Sequence, residues 1–290
     1  MRLALFGRTP RQGDLIYVQK LIDEISNKYG GLFIHRSFYN KIKENIRLPD
    51  NIELFETKEE LQGRDFLISM GGDGTFLDTL SIVMDSNIPI IGINIGHLGF
   101  LTSVGRDGID KALEDLEKGN YTLEELSLIR IETGIRDTIY GLNDVYVKSS
   151  HAGGLLDIDT SVDDKYIATY VADGVILTTP TGSTAYNMSA GGPIISPKSS
   201  CMCITPICPH NLTLRPLIIP DKSKVCLKVT EPNREVSLHI DSYSFEAKTP
   251  IEIEISKADF RIKLVRIGGE SFYTAIRNKL MWGTNIRRKK

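Results

Sequence analysis

Two periods of apolar residues divide the chain. Over residues 1–120, short apolar runs alternate with stretches of helical spacing. The runs at residues 3–6, 32–35, 66–69 and 88–93 read as strands. Leu15, Val18, Ile22 and Ile25 recur at three- and four-residue steps and predict a helix, with Asp14 in position to cap it. Leu77, Leu80 and Met84 predict another, and Ile109, Leu113 and Leu116 a third, which Gly119 is placed to end. Such alternation predicts an α/β domain with a mostly parallel sheet covered by helices. From residue 121 the period falls to two. Leu156, Ile158, Thr160 and Val162 alternate with polar residues, and Asp163-Asp164 supplies a turn. Runs at 166–171, 175–179, 202–207, 225–229, 236–240, 251–255 and 262–265 extend an all-β domain over residues 121–269, most simply a multistranded sandwich. Phe272, Ile276 and Leu280 then predict a closing helix. Neither an internal repeat nor a low-complexity linker interrupts this order.

The strongest chemical signal follows the run at 66–70. Gly71-Gly72-Asp73-Gly74-Thr75 stands between a strand and a helix start, where backbone N–H groups and the helix dipole favour an anion. A carboxylate beside a bound phosphate is repulsive, so Asp73 suits an attacking hydroxyl's proton or a metal ion better than phosphate binding alone. The structural alternative is a tight turn with a capping Asp. Thr75 reads equally as a helix cap or a phosphate contact. A second polar loop, residues 94–102, also follows a strand. Ligands of parallel sheets bind at the strands' carboxyl ends, so the two loops are expected to share a crevice. A G-x-G-x-x-G fingerprint is absent from the strand turns, including Gly7-Arg8-Thr9-Pro10, and no glycine loop ends in Gly-Lys-Ser/Thr.

Further motifs follow in order. Residues 92–102 read Gly-Ile-Asn-Ile-Gly-His-Leu-Gly-Phe-Leu-Thr, and Asn143-Asp144 interrupts an apolar run. Residues 173–186 read Asp-Gly-Val-Ile-Leu-Thr-Thr-Pro-Thr-Gly-Ser-Thr-Ala-Tyr, followed by Ser189 and Gly191-Gly192-Pro193. Residues 205–211 read Thr-Pro-Ile-Cys-Pro-His-Asn. The set, in this order and over nearly the whole chain, closely resembles the NAD kinase family. The glycine-aspartate loop alone is shared with phosphofructokinases and diacylglycerol kinases; the block at 173–186 is not.

The resemblance implies transfer of the terminal phosphoryl group of ATP, or of another triphosphate or polyphosphate, to the 2′-hydroxyl of the adenosine ribose of NAD. It implies Asp73 as general base, with Gly71, Gly72, Gly74 and Thr75 at the phosphates. It implies dinucleotide contacts from Asn143, Asp144, Asp173, Thr184, Ala185, Tyr186 and Ser189. The second acid is more often Glu in the family, and Asp144 is one methylene shorter. Asp241 stands where the family usually has Asp-Gly, but Ser242 follows it here, so its role carries over weakly. Mg²⁺ or another divalent cation would neutralise the donor phosphates. A homo-oligomer, commonly a tetramer, is implied, as is a closing helix, residues 270–290, that returns to the first domain. Two rivals are a lipid or sphingoid kinase with the same glycine loop and a non-catalytic dinucleotide sensor. The first predicts an apolar cleft and membrane-surface features that the sequence lacks; the second has no need of Asp73.

From the residues alone, Asn143-Asp144 within a strand-like run at 139–147 also reads as a β-bulge or strand end. Ser183 lacks the G-x-S-x-G context of a hydrolase nucleophile, whereas a Thr/Ser/Gly loop with one aromatic suits polar recognition of a nucleotide.

Composition adds limits. The chain has 290 residues, 41% hydrophobic and 25% charged, as a packed protein of one large or two ordinary domains requires. A net charge of −2 and pI near 6.2 give no support to nucleic-acid binding, and the basic tail Arg287-Arg288-Lys289-Lys290 reads as a solvated terminus. With no membrane-length apolar run and no visible secretory signal, the cytoplasm is the expected place. Cys201, Cys203, Cys208 and His210 crowd together, but their spacing departs from zinc-site pairs, so buried thiols are expected. His35, His97, His151, His210 and His239 are dispersed without ligand spacing.

Overall fold

The computed structural model describes residues 1–96, 99–151, 154–269 and 271–283. His97 and the basic tail at 287–290 lie outside them. The chain divides into two compact units, Met1–Glu125 with Ile262–Lys290, and Leu126–Arg261.

The first unit runs β1 (Leu3–Gly7), α1 (Leu15–Tyr29), β2 (Leu32–His35), α2 (Arg36–Ile42), β3 (Ile52–Phe55), β4 (Phe66–Met70), α3 (Asp73–Val83), β5 (Ile90–Asn94), β6 (Val104–Gly105) and α4 (Ile109–Lys118). The strands pair in parallel in the order β5-β4-β1-β2-β3. Every residue of β1, β4 and β5 is buried, as expected of strands covered on both faces. Helix α1 buries Val18, Leu21, Ile22 and Ile25, and α4 buries Ile109, Ala112, Leu113 and Leu116. Each of the valine, leucine and isoleucine side chains among them contributes about 1.5–3 kcal/mol. Gly119 ends α4 at φ 72°, as its position predicts.

Some local expectations differ. Asp14 flanks α1 but makes no side-chain cap, because residues 12–14 already form a 3-10 turn. Helix α2 escaped the sequence reading: only Phe38 and Ile42 are buried in its seven residues, too few to show a period.

The second unit is antiparallel. It contains most of β7 (Tyr121–Glu132), then β8 (Ile139–Gly141), β9 (Asp144–Ser149), β10 (Leu156–Val162), β11 (Lys165–Ala172), β12 (Gly174–Thr178), α5 (Tyr186–Ser189), β13 (Cys201–Ile207), β14 (Leu217–Pro220), β15 (Val225–Val229), β16 (Glu235–Ile240) and β17 (Tyr243–Lys248). One sheet has the order β14-β13-β12-β9-β16-β17. The other joins β11, β10 and β15 to the first part of β18 (Ile251–Ile267). Val145, Val147, Val175 and Leu238 of one sheet share a buried cluster with Ile158, Leu227 and Ile253 of the other, the packing of a sandwich. Asp163 and Asp164 both have positive φ, 49° and 60°, as a two-residue hairpin turn requires.

β18 is one strand of 17 residues where the pattern suggested two, because alternation lapses at 256–261 while the ladder continues. The run at 139–147 is broken: β8 stops at Gly141 and β9 restarts at Asp144. Helix α6 (Phe272–Leu280) starts at Ser271, whose hydroxyl accepts from Thr274 N–H at 3.2 Å. It lies against Phe100 of the first unit, with the Phe272 ring 6.4 Å away and the Lys279 ammonium 4.5 Å from the Phe100 centroid.

Candidate active site

The glycine loop leaves β4 at the carboxyl edge of the parallel sheet. Gly71 has φ 150°, and its N–H donates to Ile93 of the neighbouring strand at 2.9 Å. A Cβ there would lie 2.2 Å from the Thr75 hydroxyl oxygen, so only glycine fits. Gly72 caps α3 through its carbonyl, which accepts from Thr75 and Phe76 N–H at 2.9 and 3.1 Å. The Thr75 side chain neither caps the helix nor faces outward; it is buried under Gly71. The N–H groups of Gly72, Asp73 and Gly74 have no acceptor among the described residues. A Cβ on Gly72 would meet nothing nearer than Asn94 Nδ2 at 4.0 Å, so the loop has open space in front of it.

Asp73 is the first residue of α3 and is half-buried. Its carboxylate accepts from the N–H groups of Phe100 (2.6 Å), Leu101 (3.0 Å) and Thr102 (3.2 Å) and from the Thr102 hydroxyl (3.2 Å). Thr102 in turn accepts from Asn94 Nδ2 at 3.0 Å and Gly99 N–H at 2.9 Å. The wrap depends on Gly99, where a Cβ would lie 1.7 Å from Asp73 Oδ1. The two loops meet, joined by Asp73. Its carboxylate is a fixed acceptor beside free N–H donors, the pairing that proton removal next to a phosphate requires.

In the second unit, Leu142 and Asn143 form the break between β8 and β9, and Asp144 opens β9. Asp241, at φ 50° between β16 and β17, holds that break open. Its carboxylate accepts from Leu142, Asn143 and Asp144 N–H at 2.7, 2.8 and 3.2 Å. On the other side, the Asn143 carbonyl accepts from Thr179 N–H at 2.8 Å and the Thr178 hydroxyl at 3.0 Å. Gly182 sits flat on Asn143: a Cβ there would be 2.0 Å from the Asn143 carbonyl oxygen.

Asp144 is 4% exposed, and no hydrogen bond to its carboxyl is found among the described residues. Burial first, and the charge of Asp241 second, push its carboxyl up to about 7. Burial also raises Asp241, but its three N–H donors oppose the rise, so the negative charge of the pair belongs on Asp241.

The loop after β12 is held from within. The Ser183 hydroxyl donates to Pro180 O at 2.7 Å and accepts from Ile195 N–H at 2.9 Å. Asn187 bonds Pro193 O at 3.0 Å and the Thr205 hydroxyl at 2.7 Å. Both side chains are buried and serve the loop's shape, which rules out an exposed Ser183 nucleophile. Thr184 and Ala185 are half-buried, while Tyr186 and Ser189 are exposed. The Tyr186 ring lies 4.8 Å from Tyr146, which stacks on His239 at 4.5 Å with planes 10° apart. A cleft of about 580 Å³ beside this ladder is lined by Lys148, His151, Asp173, Tyr186, His239 and Glu246. Of the sequence-predicted residues only Asp173 and Tyr186 line it. Lys148, His239 and Glu246 were missed. Their one signal is alternation: Tyr146 and Lys148 face away from buried Val145 and Val147, and Tyr146 pairs with His239 across β16. Burial and Lys148 lower the His239 imidazole's affinity for a proton.

The cysteines are free thiols. Cys203 is buried, with its sulfur 3.5 Å from the Thr205 hydroxyl oxygen, and Cys201 is half-buried, but Cys208 is exposed, against the expectation of burial. His210 is exposed too, and its N–H donates to Val171 O at 2.8 Å.

Comparison with known proteins covers both units. Residues 16–121 match the family model of the ATP-NAD kinase N-terminal domain, and residues 142–267 that of the ATP-NAD kinase C-terminal domain. An NAD kinase of Cytophaga hutchinsonii is 34% identical over 99% of this chain and 100% of its own length. One of Bacteroides fragilis is 33% identical over the same shares. Among solved structures, a yeast NADH kinase complexed with NADH superposes with TM-score 0.89 at 23% identity, over 99% of this chain and 89% of that one. An Archaeoglobus fulgidus NAD kinase in complex with ATP gives 0.69 at 24%, over 97% and 98%. At these identities the two structures speak for the fold.

Proposed function

The chain belongs to the NAD kinase family, and from that premise we propose how its residues divide the work of a phosphotransferase. The terminal phosphoryl group of ATP passes to the 2′-hydroxyl of the adenosine ribose of NAD, giving NADP. The bond from that oxygen to phosphorus forms as the bond from phosphorus to the ADP oxygen breaks, and the hydroxyl proton goes to Asp73. A ribose hydroxyl titrates far above neutrality, so it attacks well only if a carboxylate takes its proton as the bond forms. The observation that carries this reading is the fixed Asp73 carboxylate beside three unbonded N–H groups at the start of α3. Gly71, Gly72, Gly74 and Thr75 give the loop its shape and its donors; Thr75 acts from beneath, through packing on Gly71.

For the dinucleotide we assign Asn143, Asp144, Asp173, Thr184, Ala185, Tyr186 and Ser189. The cleft beside Asp173 and Tyr186 supports this. A protonated Asp144 has both a donor and an acceptor to offer a base edge.

Among the described residues, no group of three His, Cys, Asp or Glu side chains is assembled as a metal cage. Mg²⁺ needs no such cage, because it keeps several waters and would be carried chiefly by the substrate phosphates. When bound it supplies positive charge to the donor phosphates. No helix among the described residues is long and apolar enough to cross a membrane. We infer a cytoplasmic homo-oligomer, a tetramer by family likeness. Edge strands β11 and β14 support this, because they expose Tyr166 and Ile167, and Leu217 and Ile218.

The test is product analysis by mass spectrometry with NAD, 2′-deoxy-NAD and a sphingoid base. NADP from NAD and no phosphorylation of the other two is the expected result. Phosphorylated 2′-deoxy-NAD, or a lipid phosphate without NADP, would overturn the 2′-kinase reading.

A further inference from the structure

We propose that Arg8 binds the phosphoryl donor, with Asp78 as the residue that positions it. The proposal rests on the reading that the glycine loop takes the donor's phosphates. Arg8 follows β1, which runs parallel to β4 with Gly7 opposite Met70, so it leaves the sheet at the same edge as the loop. Asp78 lies on α3, four residues after Gly74 and hence on the same face of the helix. Its carboxylate takes Arg8 Nε and, at 2.6 Å, Nη2. That fork-to-fork geometry fixes the guanidinium plane and leaves the third nitrogen, Nη1, over Gly74. A Cβ on Gly74 would lie 3.1 Å from Nη1, so the glycine makes the room the guanidinium occupies.

An ion pair joining β1 to α3 is the plainer reading. The Arg8 side chain is 48% exposed, however, and so exposed a pair contributes little stability, about 0–1 kcal/mol. Its placement does more than its energy. Nη1 and the N–H groups of Gly72, Asp73 and Gly74 are all donors without an acceptor among the described residues, at one loop. The acidic group in the loop, Asp73, is met by four donors from Phe100, Leu101 and Thr102, which offset its charge beside a bound phosphate. A lobe of fixed donors with one oriented guanidinium matches a phosphate's several oxygens, and arginine's planar fork can hold Asp78 and a phosphate together. A lysine ammonium lacks the planar fork, so it cannot grip Asp78 bidentately while a separate nitrogen meets the phosphate.

The experiment compares Arg8→Met, Arg8→Lys and Gly72→Val with the wild-type enzyme. Each is assayed for the KM of ATP, the KM of NAD, the direct Kd of ATP, and Tm. Gly72 has φ −83° and ψ −171°, which any residue adopts, and its Cβ would enter the open space before the loop. Arg8→Met is expected to raise the ATP KM and Kd about 10- to 100-fold, the loss of a charge-assisted hydrogen bond. NAD KM and Tm should stay at wild-type values, and Arg8→Lys should fail to restore ATP binding. If Gly72→Val weakens ATP binding and Arg8→Met does not, the loop reading stands and the Arg8 proposal falls. If neither does, both fall. A parallel rise of both KM values with a drop in Tm would make Arg8 a fold residue and also overturn the proposal.

Discussion

Replacing Asp144 by Asn should stabilise the protein, and more so as pH rises. The wild-type carboxyl is 4% exposed, and burial with the Asp241 charge pushes it up to about 7. In the unfolded chain it titrates near 3.9, roughly three pH units lower. Between those values the native state holds a proton that the unfolded state has lost. Unfolding then releases a proton, so wild-type stability falls as pH rises from about 4 to about 7 and is level above that. At about 1.4 kcal/mol per pH unit, the accumulated penalty is about 4 kcal/mol. Asn fills nearly the same volume and never ionises. At about pH 4 and below, the variant and wild type should therefore have similar stability. By pH 8 the variant should be ahead by an amount approaching that figure, on the order of 10 °C in Tm for a domain of this size. The assay is Tm by circular dichroism from pH 4.5 to 8.5 for both proteins, plotted as their difference. A difference flat with pH, or a variant less stable at pH 8, would refute the assignment of the proton to Asp144. Asp241→Asn is the control, and should destabilise throughout because it weakens three bonds to the backbone.

Three further outcomes are expected. Asp73→Asn should lower kcat by about 10²–10⁴-fold while NAD Kd stays near wild type, since Asn keeps the shape but takes no proton; a kcat within a few-fold of wild type would remove Asp73 from the role of base. Gly99→Ala should also cut kcat with little change in the Kd of either substrate, because its Cβ would displace the Asp73 carboxylate; unchanged kcat would show that the wrap around Asp73 is dispensable. EDTA should stop turnover without lowering Tm, and elemental analysis of protein purified without added metal should find no stoichiometric zinc at Cys201, Cys203 and Cys208.

Local patterns carried much of the fold. The buried runs of β1 and β4 and the apolar stripes of α1 and α4 depend on neighbours close in sequence, so their periods show directly. The glycine loop was legible for the same reason. What holds the site together was not. Asp73 is fixed by residues 27 to 29 positions away, and Asp241 reaches back 98 residues to Asn143. A carboxylate's long-range backbone partners leave no period and no spacing. Likewise the Tyr146–His239 stack depends on the register of β9 against β16, which alternation alone leaves open. β14 was hidden because an edge strand exposes the residues that a buried strand would pattern.

The contact of Gly182 with Asn143 has a consequence for mutational tolerance. Every single-residue replacement of a glycine adds a Cβ, and at Gly182 that atom would stand 2.0 Å from the Asn143 carbonyl oxygen, against backbone rather than a side chain that could move aside. Gly119, by contrast, has nothing within 4 Å of such an atom and asks only for a left-handed backbone, which Asn also adopts. A saturation library selected for NADP production should therefore show an empty column at Gly182 and a tolerant one at Gly119. A scan for function would then mark the seam between two loops, held by close backbone packing, as sharply as it marks Asp73.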